Sequence, residues 1–316
     1  MDSEPRDPDQ HGGDLAAAER MFGRPSAGWL DLSTGINPNP YPNLEVSQAA
    51  LARLPGTAEY DALIEAARVY YRVPNGAAIT AASGTQALIQ VLPQLVAGAR
   101  VSIAGPTYGE HELVWSRAGR AIGHSGDITV VVNPNNPDGR ITLPSDQGMT
   151  IVDEAFCDLM PEASAIGLFP RDNLIVLRSF GKFFGLGGLR LGFCISSPDF
   201  AVRLTQMLGP WAVSGPALEI GTRALSDQRW ISETRAALAA ARARLDRVLG
   251  AAGLRVIGGT DLFRLVDTPD AAAIYRRLGA AGILVRPFAD HPKWLRFGLP
   301  GNDAEFARLT QALSSR

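Results

Sequence analysis

The chain has 316 residues, 46% of them hydrophobic and 20% charged, with a net charge of −2. That length exceeds what one hydrophobic core usually organises, so two domains are expected, and a near-neutral chain without a basic stripe argues against a nucleic-acid partner. The two cysteines, Cys157 and Cys194, lack metal-ligand spacing and the four histidines are scattered, so neither a metal site nor a disulfide framework is expected and a reducing cytoplasm is.

In chain order, Met1-Asp2-Ser3-Glu4-Pro5 is acidic and polar, unlike a signal peptide. No apolar run approaches the ~20 residues of a membrane span. His11-Gly12-Gly13-Asp14 precedes an alanine-rich amphipathic helix ending near Phe22. The stretch 29–42, which carries Gly35 and Asn37, reads on its own as a surface crossing rich in Pro and Asn. Ala78-Ile79-Thr80 is strand-like, and Ser83-Gly84-Thr85 opens a helix over 85–96. Small residues with open N–H groups at a helix N-terminus make a phosphate seat, although the same residues also serve as an ordinary cap.

Short apolar runs at 101–103, 128–132, 149–152, 174–177 and 191–195 alternate with helical stretches. They imply a mostly parallel sheet with helices on both faces. The second run enters the turn Asn133-Pro134-Asn135-Asn136-Pro137-Asp138-Gly139, where an Asn amide can also donate to a ligand oxygen. The connection onward to 149 is barely long enough for a parallel crossover, so a trimmed edge of the domain is expected. The third run ends in Asp153-Glu154-Ala155-Phe156. A carboxylate there lies where open α/β sheets bind ligands, and it would equally serve as a helix cap. The fourth leads into Ser179-Phe180-Gly181-Lys182, with Arg190 eight positions beyond the lysine. A desolvated lysine amine sheds its proton and condenses with aldehydes, and an arginine nearby can clamp an anionic group of the same ligand. A helical stretch over 216–249, arginine-rich on its wet face, leads to expected strands at 254–257, 262–266, 283–285 and 294–297. The domain boundaries read as an N-terminal arm over 1–40 joining the small domain, a large domain over 41–213 and a small C-terminal domain over 214–316.

Taken together, the phosphate seat, Asn turn, strand-end Asp, lysine and arginine resemble the fold-type-I pyridoxal-phosphate enzymes of the class I/II aminotransferase family, over nearly the whole chain. The resemblance implies the α/β PLP-dependent transferase fold, with a seven-stranded, mostly parallel sheet between helices and a smaller α+β domain. It implies that Lys182 binds the cofactor aldehyde, that Asp153 partners the pyridine nitrogen and that Asn136 bonds the ring hydroxyl. Ser83, Gly84, Thr85, Ser179 and Arg190 would hold the cofactor phosphate, and Tyr108 would stack on the ring. A homodimer is implied too, with the loop from Leu54 to Tyr60 completing the neighbour's site. Two positions depart from the family pattern. Phe156 stands where many members have a tyrosine that donates to the ring oxygen, and Gly181 stands where a serine commonly precedes the lysine.

His11-Gly12-Gly13, paired with Leu32-Ser33-Thr34-Gly35-Ile36-Asn37-Pro38, resembles one branch of that family, and Gly209-Pro210-Trp211-Ala212-Val213-Ser214 does as well. The branch is the threonine-phosphate decarboxylases of cobalamin biosynthesis, relatives of the histidinol-phosphate aminotransferases. This implies a small phosphorylated amino acid as substrate, with Arg296 taking its carboxylate and Gly35, Asn37 and Asn136 beside it. Its distal phosphate would go to His11 with the Gly12-Gly13 backbone, or to Arg286, which reads otherwise as an interface ion pair. The catalytic set of Lys182, Asp153 and Tyr108 serves decarboxylation and transamination alike. An aminotransferase is therefore the alternative, and a cofactor-binding regulator a third reading.

Overall fold

A computed structural model describes residues 12–142, 144 and 146–314. His11, a sequence-predicted phosphate ligand, lies outside the described residues. The chain divides into two compact units, Pro40–Glu233 and the described parts of Met1–Asn39 with Thr234–Arg316. Its elements begin α1 (Leu15–Phe22), β1 (Leu30–Asp31), α2 (Gln48–Ala52), α3 (Thr57–Tyr71), β2 (Ala78–Ala82), α4 (Thr85–Leu95), β3 (Arg100–Ile103), α5 (Glu110–Arg117), β4 (Ala121–Gly123), β5 (Ile128–Val132) and β6 (Met149–Asp153). They continue β7 (Leu174–Ser179), α6 (Phe180–Phe183), β8 (Gly192–Ser196), α7 (Pro198–Leu208), α8 (Gly215–Ser226), α9 (Gln228–Ala251), β9 (Arg255–Thr260), β10 (Phe263–Asp267), α10 (Ala271–Ala280), β11 (Ile283–Leu284), β12 (Arg286–Pro287), β13 (Trp294–Gly298) and α11 (Asp303–Ser314).

The unit Pro40–Glu233 is built on a seven-stranded sheet of order β2-β8-β7-β6-β5-β3-β4. Only β8 runs against the rest, pairing antiparallel with β2 and β7. Every residue of β7 is buried, as near-continuous apolar runs require when both faces of a parallel sheet are covered. Leu88, Ile89 and Leu92 of α4, Trp115 of α5 and Phe200 and Leu204 of α7 share one core with Ile128, Ile151, Ile175 and Leu177 of the strands. β5 and β6 pair in parallel register from Ile128↔Met149 to Val132↔Asp153, although the connection between them carries no helix among its described residues. Buried asparagines brace it instead. Asn133 donates to the Ala163 carbonyl at 2.8 Å and accepts from the Thr142 N–H at 3.1 Å. Asn135 donates to the Pro106 carbonyl at 2.9 Å.

The second unit holds a four-stranded antiparallel sheet of order β12-β13-β10-β9 and a parallel pair, β1 with β11. The strand expected over 283–285 is β11, which joins the N-terminal β1, and a further short strand just beyond it, β12, joins β13. The helical stretch expected over 216–249 is two helices, parted at Asp227, whose carboxylate accepts the Trp230 N–H at 3.0 Å and so caps α9. No described helix is long and apolar enough to cross a membrane.

Beneath the ends of β6 and β7 lies a buried ionic cluster that the apolar pattern did not announce. Arg178 of β7 donates to Glu154 at 2.7 Å and to Asp158 at 2.8 Å, with all three side chains buried. Its guanidinium lies 4.5 Å from the Tyr71 ring centroid. Glu154 also accepts from the Ser164 hydroxyl and the Ala165 N–H, both at 2.6 Å. Arg178→Met would leave two carboxylates buried without their cation, and we expect a loss of about 3–5 kcal/mol in denaturant unfolding. An unfolding free energy within about 0.5 kcal/mol of the parent, the range of an ordinary surface substitution, would contradict this account.

Candidate active site

The sequence-predicted motifs in Pro40–Glu233 leave the sheet at one edge. The register places Val132 beside Asp153, Asp153 beside Leu177, and Gly192 between Ser179 and Ala82. The Ser83-Gly84-Thr85 turn, the Asn turn, Asp153, the Lys182 turn and Arg190 therefore emerge side by side, at the carboxyl ends of parallel strands where α/β sheets bind ligands.

Lys182 sits in α6, a single turn whose aromatic residues are anchored in the unit. Phe180 stacks on Phe184 at 4.3 Å, and Phe184 stacks on Trp230 at 5.6 Å. Phe183 meets Trp230 edge-on at 5.7 Å, and Phe180, Phe183 and Phe184 are fully buried. With its neighbours fixed, the half-buried Lys182 presents its amine 5.9 Å from the centroid of the buried Phe156 ring. Gly181 has a steric cause, since a Cβ there would stand 2.8 Å from the Gly187 Cα, so a serine would displace the glycine-rich loop that follows.

The anion seat expected from the sequence falls at the start of α4. Its cap, Gly84, has φ +84° and makes no side-chain cap bond, which leaves the first N–H groups of the helix to a ligand. A Cβ on Gly84 would stand 2.7 Å from an Arg190 guanidinium nitrogen, so the arginine closes over the bare backbone. Arg190 also donates to the Gly187 carbonyl at 3.0 Å. Ser83 is tied elsewhere, its hydroxyl donating to the Ala212 carbonyl at 2.6 Å. Ser179 is buried at the start of α6 and makes no cap bond. Of the three asparagines in the turn, Asn133 and Asn135 are buried and brace the backbone, while Asn136 is half-buried.

Asp153 is buried, with one carboxylate oxygen 3.0 Å from His111 Nε2 and the other accepting the Ala155 N–H at 3.1 Å. Nothing in the motif order identified His111. The available signal was its place three residues after Tyr108 at the start of α5, one turn away on the same side. The rings of Tyr108 and His111 meet edge-on at 6.0 Å. The Tyr108 hydroxyl donates to Gln86 Oε1 at 3.2 Å, and Gln86 Nε2 donates to Glu110 at 2.5 Å.

The remaining predicted residues belong to the other unit. Arg286 and Arg296 are cross-strand partners on β12 and β13. Arg296 is buried and donates to the Ser33 carbonyl at 2.7 Å. Burial and the Arg286 guanidinium both work against its positive charge, opposed by the Asp31 carboxylate, so a seated anion would relieve it. The Ser33 hydroxyl donates to Asp31 at 2.6 Å and accepts the Gly13 N–H at 2.8 Å, sewing the N-terminal segment to this place. Gly35 and Asn37 are buried on the same segment, and Asn37 accepts the Asn39 N–H at 2.9 Å.

Residues 121–313 match the family model described as aminotransferase class I and II. The chain is 44% identical to a threonine-phosphate decarboxylase of Sinorhizobium sp., over 96% of this chain and 97% of that one. It is 40% identical to the threonine-phosphate decarboxylase of Pseudomonas aeruginosa, again over 96% and 97%. Among solved structures, it superposes with a TM-score of 0.82 on a histidinol-phosphate aminotransferase from Sinorhizobium meliloti in complex with pyridoxal-5'-phosphate, at 23% identity over 94% of this chain and 92% of that one.

The Tyr108 phenol is pushed up from 10.0 to about 12, first by burial and then by the charges of Glu110 and Asp153, with Arg190 pulling the other way. It therefore stays neutral at a pH where exposed tyrosines have ionised. A difference titration of the parent against Tyr108→Phe, followed by ultraviolet absorbance, should place the missing transition near pH 12. A transition at the ordinary value of 10.0 would contradict the packing described.

Proposed function

Because the chain belongs to the class I and II aminotransferase family, we propose that it decarboxylates L-threonine O-3-phosphate to (R)-1-amino-2-propanol O-2-phosphate, with pyridoxal 5'-phosphate as cofactor, in cobalamin biosynthesis. The observation that carries this reading is the identity of 44% and 40%, over nearly the full length, to two threonine-phosphate decarboxylases.

The residues present suit the cofactor. Gly84 and Arg190 form a cradle that a Cβ would fill, a helix start offers its N–H groups, and a buried carboxylate and a braced lysine stand at the same sheet edge. In this reading Lys182 holds the aldehyde carbon, Asp153 the ring nitrogen, Asn136 the ring hydroxyl and Tyr108 the ring face. Ser83, Gly84, Thr85, Ser179 and Arg190 hold the phosphate. When bound, pyridoxal phosphate supplies an electron sink for the charge left when a bond at the substrate α-carbon breaks. Asp153, oriented by His111 and the Ala155 N–H, keeps a proton on the ring nitrogen. Phe156 gives the ring oxygen no hydrogen bond.

In this reading Arg296 takes the substrate carboxylate with Gly35 and Asn37 of the same unit, Arg286 takes the distal phosphate together with His11, and Asn136 is a substrate contact of the other unit. Held at both ends, the substrate cannot turn freely about N–Cα, and that restraint selects the bond that breaks. We also read the protein as a cytoplasmic homodimer. Leu54, which opens the segment expected to meet a neighbour, is 68% exposed. Tyr60 is a poorer candidate for reaching across, since its hydroxyl accepts the Ala81 N–H of its own chain at 3.0 Å.

O-phosphothreonine should release CO₂ without any keto-acid acceptor, and unphosphorylated threonine should be poorer by roughly 10²-fold in kcat/KM, the cost of leaving a cationic seat unpaired. A requirement for 2-oxoglutarate with the carboxylate retained would transfer the assignment to an aminotransferase. Lys182→Ala should abolish the visible absorbance that pyridoxal phosphate confers. Asp153→Asn should keep cofactor binding and lower kcat by at least ~10²-fold, each tenfold being ~1.4 kcal/mol of barrier. Near-parental turnover in that variant would reduce Asp153 to a backbone cap.

A further inference from the structure

We infer that Gln86 is a positioning residue, which fixes the orientation of the Tyr108 ring through a hydrogen-bond chain anchored on the Glu110 carboxylate. The direction of that chain follows from its far end. An ionised carboxylate only accepts, so Glu110 draws the NH₂ face of the Gln86 amide toward it at 2.5 Å. The amide oxygen must then face away, where it meets the Tyr108 hydroxyl at 3.2 Å, and the phenol is left one role, that of donor. Burial and the surrounding carboxylates keep the phenol neutral and so able to donate. A tyrosine side chain has few torsions, and because conjugation holds the phenol O–H in the plane of its ring, an acceptor fixed in one direction favours one orientation of that plane.

The three residues also join two separate elements. Gln86 follows Thr85 in the first turn of α4, whose N-terminus is the anion seat, and Glu110 is the first residue of α5, beside His111. The chain thus ties the helix that offers N–H groups to a phosphate with the segment that presents the ring and the partner of Asp153. A movement of one would be felt at the other. The inference rests on the reading of Tyr108 as the face on which the cofactor ring lies.

Cofactor affinity and the induced visible circular dichroism of bound pyridoxal phosphate test it in the purified protein. Gln86→Leu should weaken cofactor binding about tenfold, near the upper value of one hydrogen bond, and reduce the dichroic signal. Gln86→Glu alone sets two carboxylates together and should be at least as poor. Joined with Glu110→Gln it should recover, since the exchange moves the carboxylate to the middle of the chain, where it accepts from the Tyr108 hydroxyl on one side and from the amide on the other. In a Tyr108→Phe background, Gln86→Leu should add nothing, because the donor it served is gone. Parental affinity and dichroism in Gln86→Leu, failure of the exchanged pair to recover, or an undiminished effect in the Phe background would each overturn the inference. Tyr108→Ala separates this from the underlying reading. If that variant binds pyridoxal phosphate and shows dichroism as the parent does, Tyr108 is not the ring face and the functional assignment of that residue fails first.

Discussion

The ion pair between Arg178 and Glu154 sits where two neighbouring strands of the sheet, β6 and β7, end, next in the chain to Ser179 and Asp153. Successive side chains on a strand point to opposite faces. Arg178 and its neighbour Ser179 therefore face opposite ways, and fixing one fixes the other. Glu154 directly follows Asp153, the last residue of β6, so its pairing holds that strand end as well. The Glu154 N–H donates to the Leu177 carbonyl at 2.8 Å, so backbone and side chains clamp the same two strand ends. The cluster places a guanidinium and two carboxylates out of water, which costs solvation that only close pairing offsets. Burial of the adjacent Cys157 thiol lifts it to about 12, so no further charge develops there near neutral pH.

Above that clamp, rigidity comes from aromatic stacking and from places too tight for a side chain. The turn carrying Lys182 has no regular element of useful length to stiffen it, since α6 is four residues long. Phe180, Phe183 and Phe184, locked among one another and Trp230, do this instead. Gly181 belongs to the same solution, since the backbone of Gly187 comes too close for any Cβ there.

The other unit shows an electrostatic rather than a steric design. Two arginines stand opposite one another across β12 and β13, an arrangement that repels unless something negative lies between or beside them. Asp31 supplies part of that charge and also orients Ser33, whose carbonyl accepts from Arg296. Such repulsion suits a protein whose proposed substrate carries two anionic groups, because binding energy is then realised only when both ends are present.

Much of this was written locally in the chain. Apolar runs of three to five residues set most strands of the large sheet, and turn chemistry at Gly84, at the Asn-Pro turn and at Gly181 marked where several of them give way to a loop. Such signals act within one turn of helix or a few residues of strand, so Lys182, Asp153 and Arg190 could be picked out without a structure. The division of the long helix at Asp227 escaped because a single capping carboxylate outweighed a continuous helical pattern. The partners of the site residues were not legible at all. His111 lies 42 positions from Asp153, Gln86 24 from Glu110, and Arg178 24 from Glu154. The sequence determined most strands of the large sheet and which residues stand at their ends, while the short β1, β4 and β12 were not marked in it. Tertiary structure decided which of those ends meet, because pairing across the sheet and between helices depends on register, a property of the whole packed unit and of no segment within it.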